Sequence, residues 1–340
     1  MTNAGTSIEI RNLYKIFGTA PKAHVAAVRA GMSKEELSTR HGHILGLNNI
    51  NISMPAGKIQ VVMGLSGSGK STLIRHINRL IEPTSGSIMI AGRDVLSMSE
   101  LDLREFRRTG TAMVFQRFAL LPHRTVIDNV TFGLEVRAVD KARSRDTAMR
   151  WIERVGLKGF ENRYPTELSG GMQQRVGLAR ALSNDPAILL MDEAYSALDP
   201  LIRTDMQTML LELQQELNKT IVFITHDLDE ALRLGDQIVI LRDGSIIQQG
   251  SSQDILLRPA DDYIERFVKD VNRGRFIRVD ALMESPDGRT TIGLPVLKSG
   301  TTLEVAGKEL ADALADAAVV ADGSGRPLGV VDLRRILAAL

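Results

Sequence analysis

The chain has 340 residues, of which 44% are hydrophobic and 24% charged, so it can bury a globular core in two domains or in one large domain with an appendage. Its 42 basic and 41 acidic residues leave a formal net charge of +1, which gives no reason to expect a nucleic acid or an anionic membrane as ligand. The sequence has no cysteine, which excludes disulfides and cysteine-based catalytic or metal sites and is typical of a reducing cytosol.

The N-terminal sequence MTNAGTSIEIRN shows neither the basic nor the apolar segment of a secretion signal. The longest apolar runs, AILLM and TIVFI, are far shorter than the ~20 residues that a membrane-spanning helix needs. If the protein acts at a membrane, we expect a partner to hold it there.

Short aliphatic and β-branched runs recur along the chain, each bounded by turn residues. Amphipathic helical stretches separate several of them, and this alternation predicts an α/β domain with a largely parallel sheet. The predicted strands are residues 7–13, 58–64, 86–92, 111–116, 187–192 and 220–226. A hairpin is predicted over 237–250, because Asp243-Gly244 suits a tight turn with positive φ.

The long stretch 117–185 contains no clear strand and is predicted to be a helical subdomain, with breaks at Leu121-Pro122 and Tyr164-Pro165. From about residue 276 the pattern changes to short pieces punctuated by glycine and aspartate. We therefore predict a core domain over 1–275 and a small α+β domain over 276–340.

The sequence GLSGSGKST follows a predicted strand, opens a predicted helix and matches G-x-x-x-x-G-K-[ST], the pattern of phosphate-binding loops. Glycines let consecutive backbone N–H groups turn towards phosphate oxygens, a lysine supplies charge, and a serine hydroxyl binds Mg²⁺. The predicted ATP-binding residues are Gly64, Ser66, Gly67, Ser68, Gly69, Lys70, Ser71 and Thr72, with Ser71 also a metal ligand.

Polar side chains follow three of the other predicted strands. Asp192 ends AILLMD and suits the Mg²⁺ shell, while the adjacent Glu193 can polarise a water molecule for in-line attack on the γ-phosphate. His226 and Gln116 end TIVFITH and TAMVFQ, at the strand ends where ligands of open α/β sheets gather.

A second glycine turn, LSGGMQQR, begins another helix but carries no lysine after its glycines. It can offer Ser169, the amides of Gly170 and Gly171, and a helix N-terminus to a phosphate that something else holds. Two copies packed head to tail would let each turn close over ATP held by the partner's Lys70. We therefore predict a homodimer with two shared sites.

Together, GLSGSGKST, Gln116, LSGGMQQR, ILLMDE, SALD and His226 resemble the ATP-binding-cassette (ABC) ATPases in order and spacing, over about residues 7–250. The resemblance implies an ABC-type P-loop ATPase core in which Glu193 is the general base and Gln116 is a further metal ligand. It also implies that Asp199 touches the partner's nucleotide and that Phe17 stacks on adenine. Met172 departs from the glutamine of many relatives, but the phosphate-facing residues are intact.

An insertion over about residues 19–46, together with stretches such as NRLIEPTSG and FQRFALLPHRTV, resembles the ATPase subunits of glycine betaine/proline-type osmolyte importers. Systems for choline, carnitine or trimethylamine N-oxide share these stretches, so the solute stays open. Ser33 and Glu36 form a capping-box pattern, which predicts a helix within the insertion.

The resemblance implies several partners and a location. An integral-membrane permease would dock at a groove over Gln116–Thr125, where Phe118, Leu120, Leu121 and Pro122 crowd together. A periplasmic or surface-tethered solute-binding protein would select the solute, and the chain would sit peripherally on the cytoplasmic face of the cell membrane. The tail over 276–340 resembles part of a cystathionine-β-synthase-type (CBS) module, either regulatory or dimer-stabilising.

Two other functions stay open at this stage. One is a soluble cassette ATPase acting on nucleic acid or the ribosome, although near-neutral charge and the absence of a second cassette disfavour it. The other is a nucleotide switch that dimerises without turnover, which Glu193 and His226 argue against.

Overall fold

The computed structural model describes residues 5–116, 119–285 and 293–340. The chain divides into two compact units, Met1–Ile247 and Gln248–Leu340. No helix within the described residues is both long and apolar enough to cross a bilayer. The predicted boundary at 275/276 lies later than this division and stays a prediction about domains.

The strands of the first unit are β1 (Ile8–Phe17), β2 (Ile44–Met54), β3 (Ile59–Met63), β4 (Ser85–Ile90), β5 (Arg93–Asp94), β6 (Thr111–Phe115), β7 (Ile188–Asp192), β8 (Thr220–Thr225), β9 (Gln237–Arg242) and β10 (Ser245–Gly250), the last running across the division. Its helices are α1 (Val25–Arg29), α2 (Lys34–His41), α3 (Lys70–Ile77), α4 (Glu100–Glu105), α5 (Val126–Val136), α6 (Lys141–Arg154), α7 (Gly170–Ser183), α8 (Pro200–Leu217) and α9 (Leu228–Leu234).

The central sheet has six strands in the order β10-β9-β3-β8-β7-β6, and the pairs from β9 to β6 are parallel. Every residue of β3, β7 and β8 is buried. This explains their continuous aliphatic sequences, because a parallel sheet is covered on both faces. The carboxyl ends of these strands meet at one edge, where the predicted site residues follow them.

A second sheet was not predicted. Two of the predicted strands, 7–13 and 86–92, belong to an antiparallel sheet with the order β2-β1-β4-β5. Strand β2 keeps one face solvated, so its buried and exposed residues alternate. A core cluster joins Ile8 and Ile50 of this sheet to Val62 and Ile224 of the central sheet, and includes Leu73 of α3.

The insertion folds as a 3₁₀ turn, α1 and α2, and its last residues already belong to β2. The predicted capping box is present: the Glu36 amide donates to Ser33 Oγ and the Ser33 amide to Glu36 Oε2, each at 3.1 Å. Val28 and Leu37 are buried against Ile16 of β1, which anchors the insertion on the antiparallel sheet.

Within the described part of 117–185 there are three α-helices, α5 to α7, and no strand, while the assignment of this stretch as a subdomain stays a prediction. Their common core includes Val130, Ile152 and Val176. Pro165 opens a short 3₁₀ turn before α7, and an additional break over residues 137–140 separates α5 from α6.

The second unit contains α10 (Ser252–Leu257), α11 (Asp262–Val268), β11 (Val296–Lys298), α12 (Leu303–Asp312), β12 (Ala317–Ala321), β13 (Pro327–Asp332) and α13 (Leu333–Ala339). Its sheet has the order β11-β12-β13, with a parallel and an antiparallel pair. Gln253 of α10 donates from Nε2 to Phe276 O at 3.0 Å and accepts from the Arg278 amide, so α10 packs with the tail. Strands β12 and β13, the turn between them and α13 follow one another at the end of the chain, while the CBS assignment stays a prediction.

Candidate functional site

The glycine-rich loop runs from the end of β3 to the start of α3 and folds around the amine of Lys70. Lys70 Nζ donates to Gly64 O at 2.8 Å and to Leu65 O at 3.0 Å, and only 5% of the residue is exposed. Gly64 and Gly69 have φ of +148° and +103°, which favours glycine at both. Ser66 is exposed on the loop, and Thr72 lies in the first turn of α3.

Neighbouring backbone holds this loop in place. The Gly244 amide of the predicted hairpin turn donates to Ser68 O at 3.1 Å, and Gly244 O accepts from the Asn48 amide at 2.8 Å. A methyl group on Gly69 would lie 2.8 Å from Gly46 O, and one on Gly46 would lie 2.6 Å from the Phe17 ring. Phe17 is the last residue of β1 and is 38% exposed.

The loop fits a phosphate. Ser68 Oγ is buried and has no hydrogen-bond partner among the described residues, so a ligand oxygen would satisfy it. The N-terminus of α3, which begins at Lys70, adds a dipole that favours an anion. ATP phosphates therefore match both the shape and the charge of this loop.

A pair of oxygen donors lies beside the loop and fits Mg²⁺. Ser71 Oγ donates to Asp192 Oδ1 at 2.8 Å, and Asp192 is 6% exposed at the end of β7. Arg75 Nη2 lies 3.4 Å from Asp192 Oδ2. Hydroxyl and carboxylate oxygens are the ligands that Mg²⁺ prefers, with waters and substrate phosphates completing its shell.

Glu193 lies between two cationic or polar groups. Its Oε1 is 3.6 Å from Lys70 Nζ, its Oε2 is 3.4 Å from His226 Nδ1, and its side chain is 21% exposed. The backbone has φ of +48°, an uncommon conformation for a non-glycine residue, and the amide donates to Ile224 O at 3.1 Å. A partly exposed carboxylate beside a phosphate-binding lysine can accept a proton from an attacking water.

Gln116 follows β6, the strand next to β7, but its side chain is engaged elsewhere. Its Nε2 donates to Ser196 Oγ at 3.1 Å, and Ser196 Oγ donates to Glu193 O at 3.0 Å. Sequence reasoning had not singled out Ser196, whose only signal is its place in SALD. Gln116 thus reaches the Glu193 backbone through one hydroxyl.

The second glycine turn begins α7 as predicted. Ser169 is its N-cap, and its Oγ accepts from the Met172 amide at 3.3 Å; Gly170 and Gly171 are the first helical residues. No hydrogen bond between described residues joins this turn to residues 64–72.

Asp199 is the N-cap of α8, and its Oδ1 accepts from the Ile202 amide at 3.1 Å. Both Ser169 and Asp199 are exposed, so they can contact a second molecule. A methyl group on Gly171 would lie 2.5 Å from Ile202 Cγ2, which shows how closely the starts of α7 and α8 pack. The side chain of Met172 packs partly against the helical core.

The groove predicted over Gln116–Thr125 is only partly as expected. Phe118 lies outside the described residues, Leu120 packs against the helical core, and Pro122 is exposed. A cavity of about 410 Å³ lies beside this segment, and its apolar lining includes Ala119, Phe115, Phe132 and Val136.

Comparisons with known proteins agree with this geometry. The sequence profile of the ABC transporter family matches residues 47–196. The glycine betaine transport ATP-binding protein OpuAA of Bacillus subtilis is 52% identical, over 82% of this chain and 66% of its own length. The trimethylamine N-oxide transport system ATP-binding protein TmoW of Pelagibacter ubique is 44% identical, over 97% of this chain and 96% of its own length.

A solved dimeric structure of the ATP-binding cassette MJ0796, in a post-hydrolysis state with ADP and Pi, superposes with a TM-score of 0.61 at 31% identity. The match covers 72% of this chain and 98% of that one. The family profile, the similarity to OpuAA and TmoW and the similarity to this structure all agree with the phosphate loop, carboxylates and glycine turn described above. The chain therefore belongs to the ABC transporter family, as an ATP-hydrolysing subunit that uses ATP with Mg²⁺.

Proposed function

We propose that this ATPase drives import of a quaternary amine or methylamine osmolyte, of the glycine betaine, proline betaine, choline or trimethylamine N-oxide type. The similarity to OpuAA and to TmoW supports this class of solute, since both names specify small methylated amines or amine oxides. The same similarity favours transport over the nucleic-acid alternative. The observation that carries the catalytic part is the position of Glu193 between Lys70 and His226.

In the proposed reaction, Glu193 accepts a proton from the water that attacks the γ-phosphate, while His226 donates a hydrogen bond on the other side of that water. Lys70 and the amides of residues 64–72 bind the phosphates, so charge that develops in the transition state is already matched by fixed donors. Ser71, Asp192 and Gln116 would hold Mg²⁺, which would neutralise negative charge on the nucleotide phosphates. Phe17 stacks on the adenine ring.

We propose further that two copies of the chain enclose two nucleotides. Ser169, Gly170, Gly171 and Asp199 of one protomer then face the nucleotide held by Lys70 of the partner. The exposure of Ser169, Gly170 and Asp199 supports the shared arrangement. Transport ATPases of this family work with a membrane permease, and the cavity beside Ala119 and Phe132 is the proposed docking site on this chain.

The remaining assignments belong to the same proposal. The chain is held on the cytoplasmic face of the cell membrane by the permease, and a periplasmic or surface-tethered binding protein selects the solute. The segment over 276–340 is a CBS-like tail that regulates the transporter or stabilises its dimer.

The test is reconstitution of the chain in proteoliposomes with the permease and the binding protein encoded beside it. We expect MgATP-dependent uptake of at least one of glycine betaine, choline and trimethylamine N-oxide, and no uptake with the Glu193→Gln chain. ATPase activity that ignores all three solutes and rises with DNA or ribosomes would overturn the proposal.

A further inference from the structure

Arg203, in the first turn of α8, connects two loops that lie on either side of the proposed reaction centre. Its Nη1 donates to Asp227 Oδ2 at 3.0 Å, and its Nη2 donates to Leu198 O at 3.3 Å. The side chain is 27% exposed, and its Nε is buried with no hydrogen-bond partner among the described residues. The two terminal nitrogens of the guanidinium therefore each donate a hydrogen bond to one of these loops.

Each of the two contacts lies one residue from a proposed site residue. Leu198 directly precedes Asp199, which faces the partner's nucleotide, and Asp227 directly follows His226, which faces the chain's own γ-phosphate. Because the contact to Leu198 is to a backbone carbonyl, it fixes the course of the main chain and not only a side chain.

The loop after β8 has little freedom to move independently of Asp227. The Asp227 amide donates to Thr225 Oγ1 at 3.0 Å, and Asp227 Oδ1 accepts from the Glu230 amide at 3.1 Å as the N-cap of α9. A change in the position of Asp227 is therefore transmitted to His226, which stands between Thr225 and Asp227.

A second carboxylate near Arg203 does not compete for this role. Glu230 is 4% exposed, and burial raises the pKa of its carboxyl group. It accepts a hydrogen bond from Gln207 Nε2 at 3.2 Å. Asp227 is thus the carboxylate that Arg203 engages directly.

We propose that Arg203 is a positioning residue that couples the two ATP sites of the dimer. It holds the turn over residues 196–199 and the loop carrying His226 in one fixed relation. Engagement of His226 by nucleotide in one site then sets the position of Asp199 at the other site. This inference rests on the proposed shared sites and on the proposed roles of Asp199 and His226.

The chain offers a matched control in Arg233 of α9. Arg233 also connects α8 and α9, with Nη1 donating to Gln207 Oε1 at 2.7 Å and Nη2 to Thr208 Oγ1 at 2.8 Å. It is half-buried like Arg203, and its described hydrogen bonds go to α8 and not to either loop. Any effect of simply loosening the α8–α9 contact should therefore appear in Arg233→Ala as well.

The experiment measures steady-state ATPase rate against MgATP concentration for the full chain and its variants, with nucleotide affinity determined separately by equilibrium binding. For Arg203→Ala we expect kcat to fall about tenfold through misplacement of groups that do not themselves react, with nucleotide affinity unchanged within about threefold. We expect a Hill coefficient above 1 for the native chain and a value of 1 for Arg203→Ala. Arg203→Lys should recover part of both, because it keeps a donor to Leu198 O.

A double-mutant comparison locates the effect. Asp227→Asn should resemble Arg203→Ala, and the double variant should be no worse than either single one, because both remove the same link. Arg233→Ala should keep the native kcat and Hill coefficient.

The inference is overturned if Arg203→Ala and Arg233→Ala behave alike, or if Arg203→Ala lowers kcat while leaving the Hill coefficient at its native value. Glu193→Gln, measured in parallel, distinguishes a failure of the proposed catalytic site from a failure of the proposed coupling. If it keeps full turnover, the proposed catalytic site is wrong; if it loses turnover while Arg203→Ala behaves like its control, only the coupling fails.

Discussion

The Lys70 ammonium lies 3.6 Å from the Glu193 carboxylate, so the proposed phosphate-binding group and the proposed general base are direct neighbours. The carboxylate is held there by its own backbone, whose φ of +48° directs it away from the path of β7. This pairing defines the reaction centre and leads to the first two predictions.

Glu193→Gln keeps the size of the side chain but removes the charge that accepts a proton. We expect turnover to fall by about 10²-fold or more, which is typical of loss of a general base. ATP should still bind and should trap a dimer, measurable as phosphate release against time and as a dimer peak in size-exclusion chromatography with ATP. Glu212→Gln, on the exposed side of α8, is the control and should keep native turnover. Unchanged turnover in Glu193→Gln would refute the assignment.

Lys70→Ala removes the charged donor at the centre of the loop. We expect tight ATP binding to be abolished, because the loop amides alone supply only partial charges to the β- and γ-phosphates. Equilibrium binding of a fluorescent ATP analogue measures the effect. The control is Lys58→Ala, just before β3, which removes an exposed ion pair to Asp236 and should bind ATP normally. Native affinity in Lys70→Ala would contradict the phosphate-loop assignment.

The shared sites predict complementation between two inactive variants. Ser169→Asp keeps a good N-cap for α7, so the helix should form, but it places a carboxylate against the partner's phosphate. Lys70→Ala and Ser169→Asp should each be inactive alone. Mixed in equal amounts, they should recover up to about a quarter of native ATPase activity, because half of the dimers are mixed and each has one intact site. No recovery in dimers shown to have exchanged subunits would count against the head-to-tail arrangement.

Gly64 and Gly67 allow a test of the packing around the loop. A methyl group on Gly64 would lie 2.1 Å from Leu241 O, whereas one on Gly67 would meet no atom within 4 Å. Both have positive φ, so Gly67→Ala should cost about 1 kcal/mol of unfolding free energy from backbone strain alone. Gly64→Ala should cost at least about 2 kcal/mol, since strain and steric overlap add. Urea denaturation compares the two; equal losses would contradict the described contact with Leu241.

His76 predicts a loss of stability at mildly acidic pH. The residue is fully buried, its Nδ1 lies 2.5 Å from Thr72 O, and burial lowers its pKa to about 4. Between the ordinary pKa of an unfolded histidine, near 6.5, and about 4, the unfolded state binds more protons than the folded one. Stability contributed by the neutral imidazole is therefore complete above pH 6.5 and lost as pH falls, by up to about 3 kcal/mol.

The measurement is the free energy of unfolding in urea at a series of pH values. His76→Gln should flatten its dependence between pH 6.5 and 4, while His123→Gln, at an exposed position, should keep the native slope. A native slope in His76→Gln would show that another group is responsible.

The central sheet was predictable because its inner strands β3, β7 and β8 are buried on both faces. Each of the runs 58–64, 111–116, 187–192 and 220–226 is found as a strand within one or two residues of the predicted ends. The antiparallel sheet was not predictable as a separate layer, since the residue pattern of one strand does not specify which other strand it pairs with. Strand β2 was missed because NNINIS mixes asparagine with isoleucine, which is typical of both turns and half-buried strands.

The site residues themselves followed from motif and strand-end position, but several of their contacts did not. That Gln116 binds Ser196, and that Arg203 joins two loops, depends on distances between segments far apart in sequence. A single sequence carries no signal for such contacts. The shared arrangement was inferred for Ser169 from a missing lysine and for Asp199 from the family resemblance. The exposure of both residues in one chain is compatible with it.

Gly46 lies close to both ends of the proposed nucleotide site, since a methyl group on Gly69 would meet its carbonyl oxygen and a methyl group on Gly46 would meet the Phe17 ring. The separation between the aromatic face and the phosphate cradle is thus set by one residue inside a β-strand, and not by a flexible connection. The antiparallel sheet thereby selects ligands by length. Only a ligand with the matching distance between its ring and its phosphates can contact Phe17 and the phosphate loop at the same time.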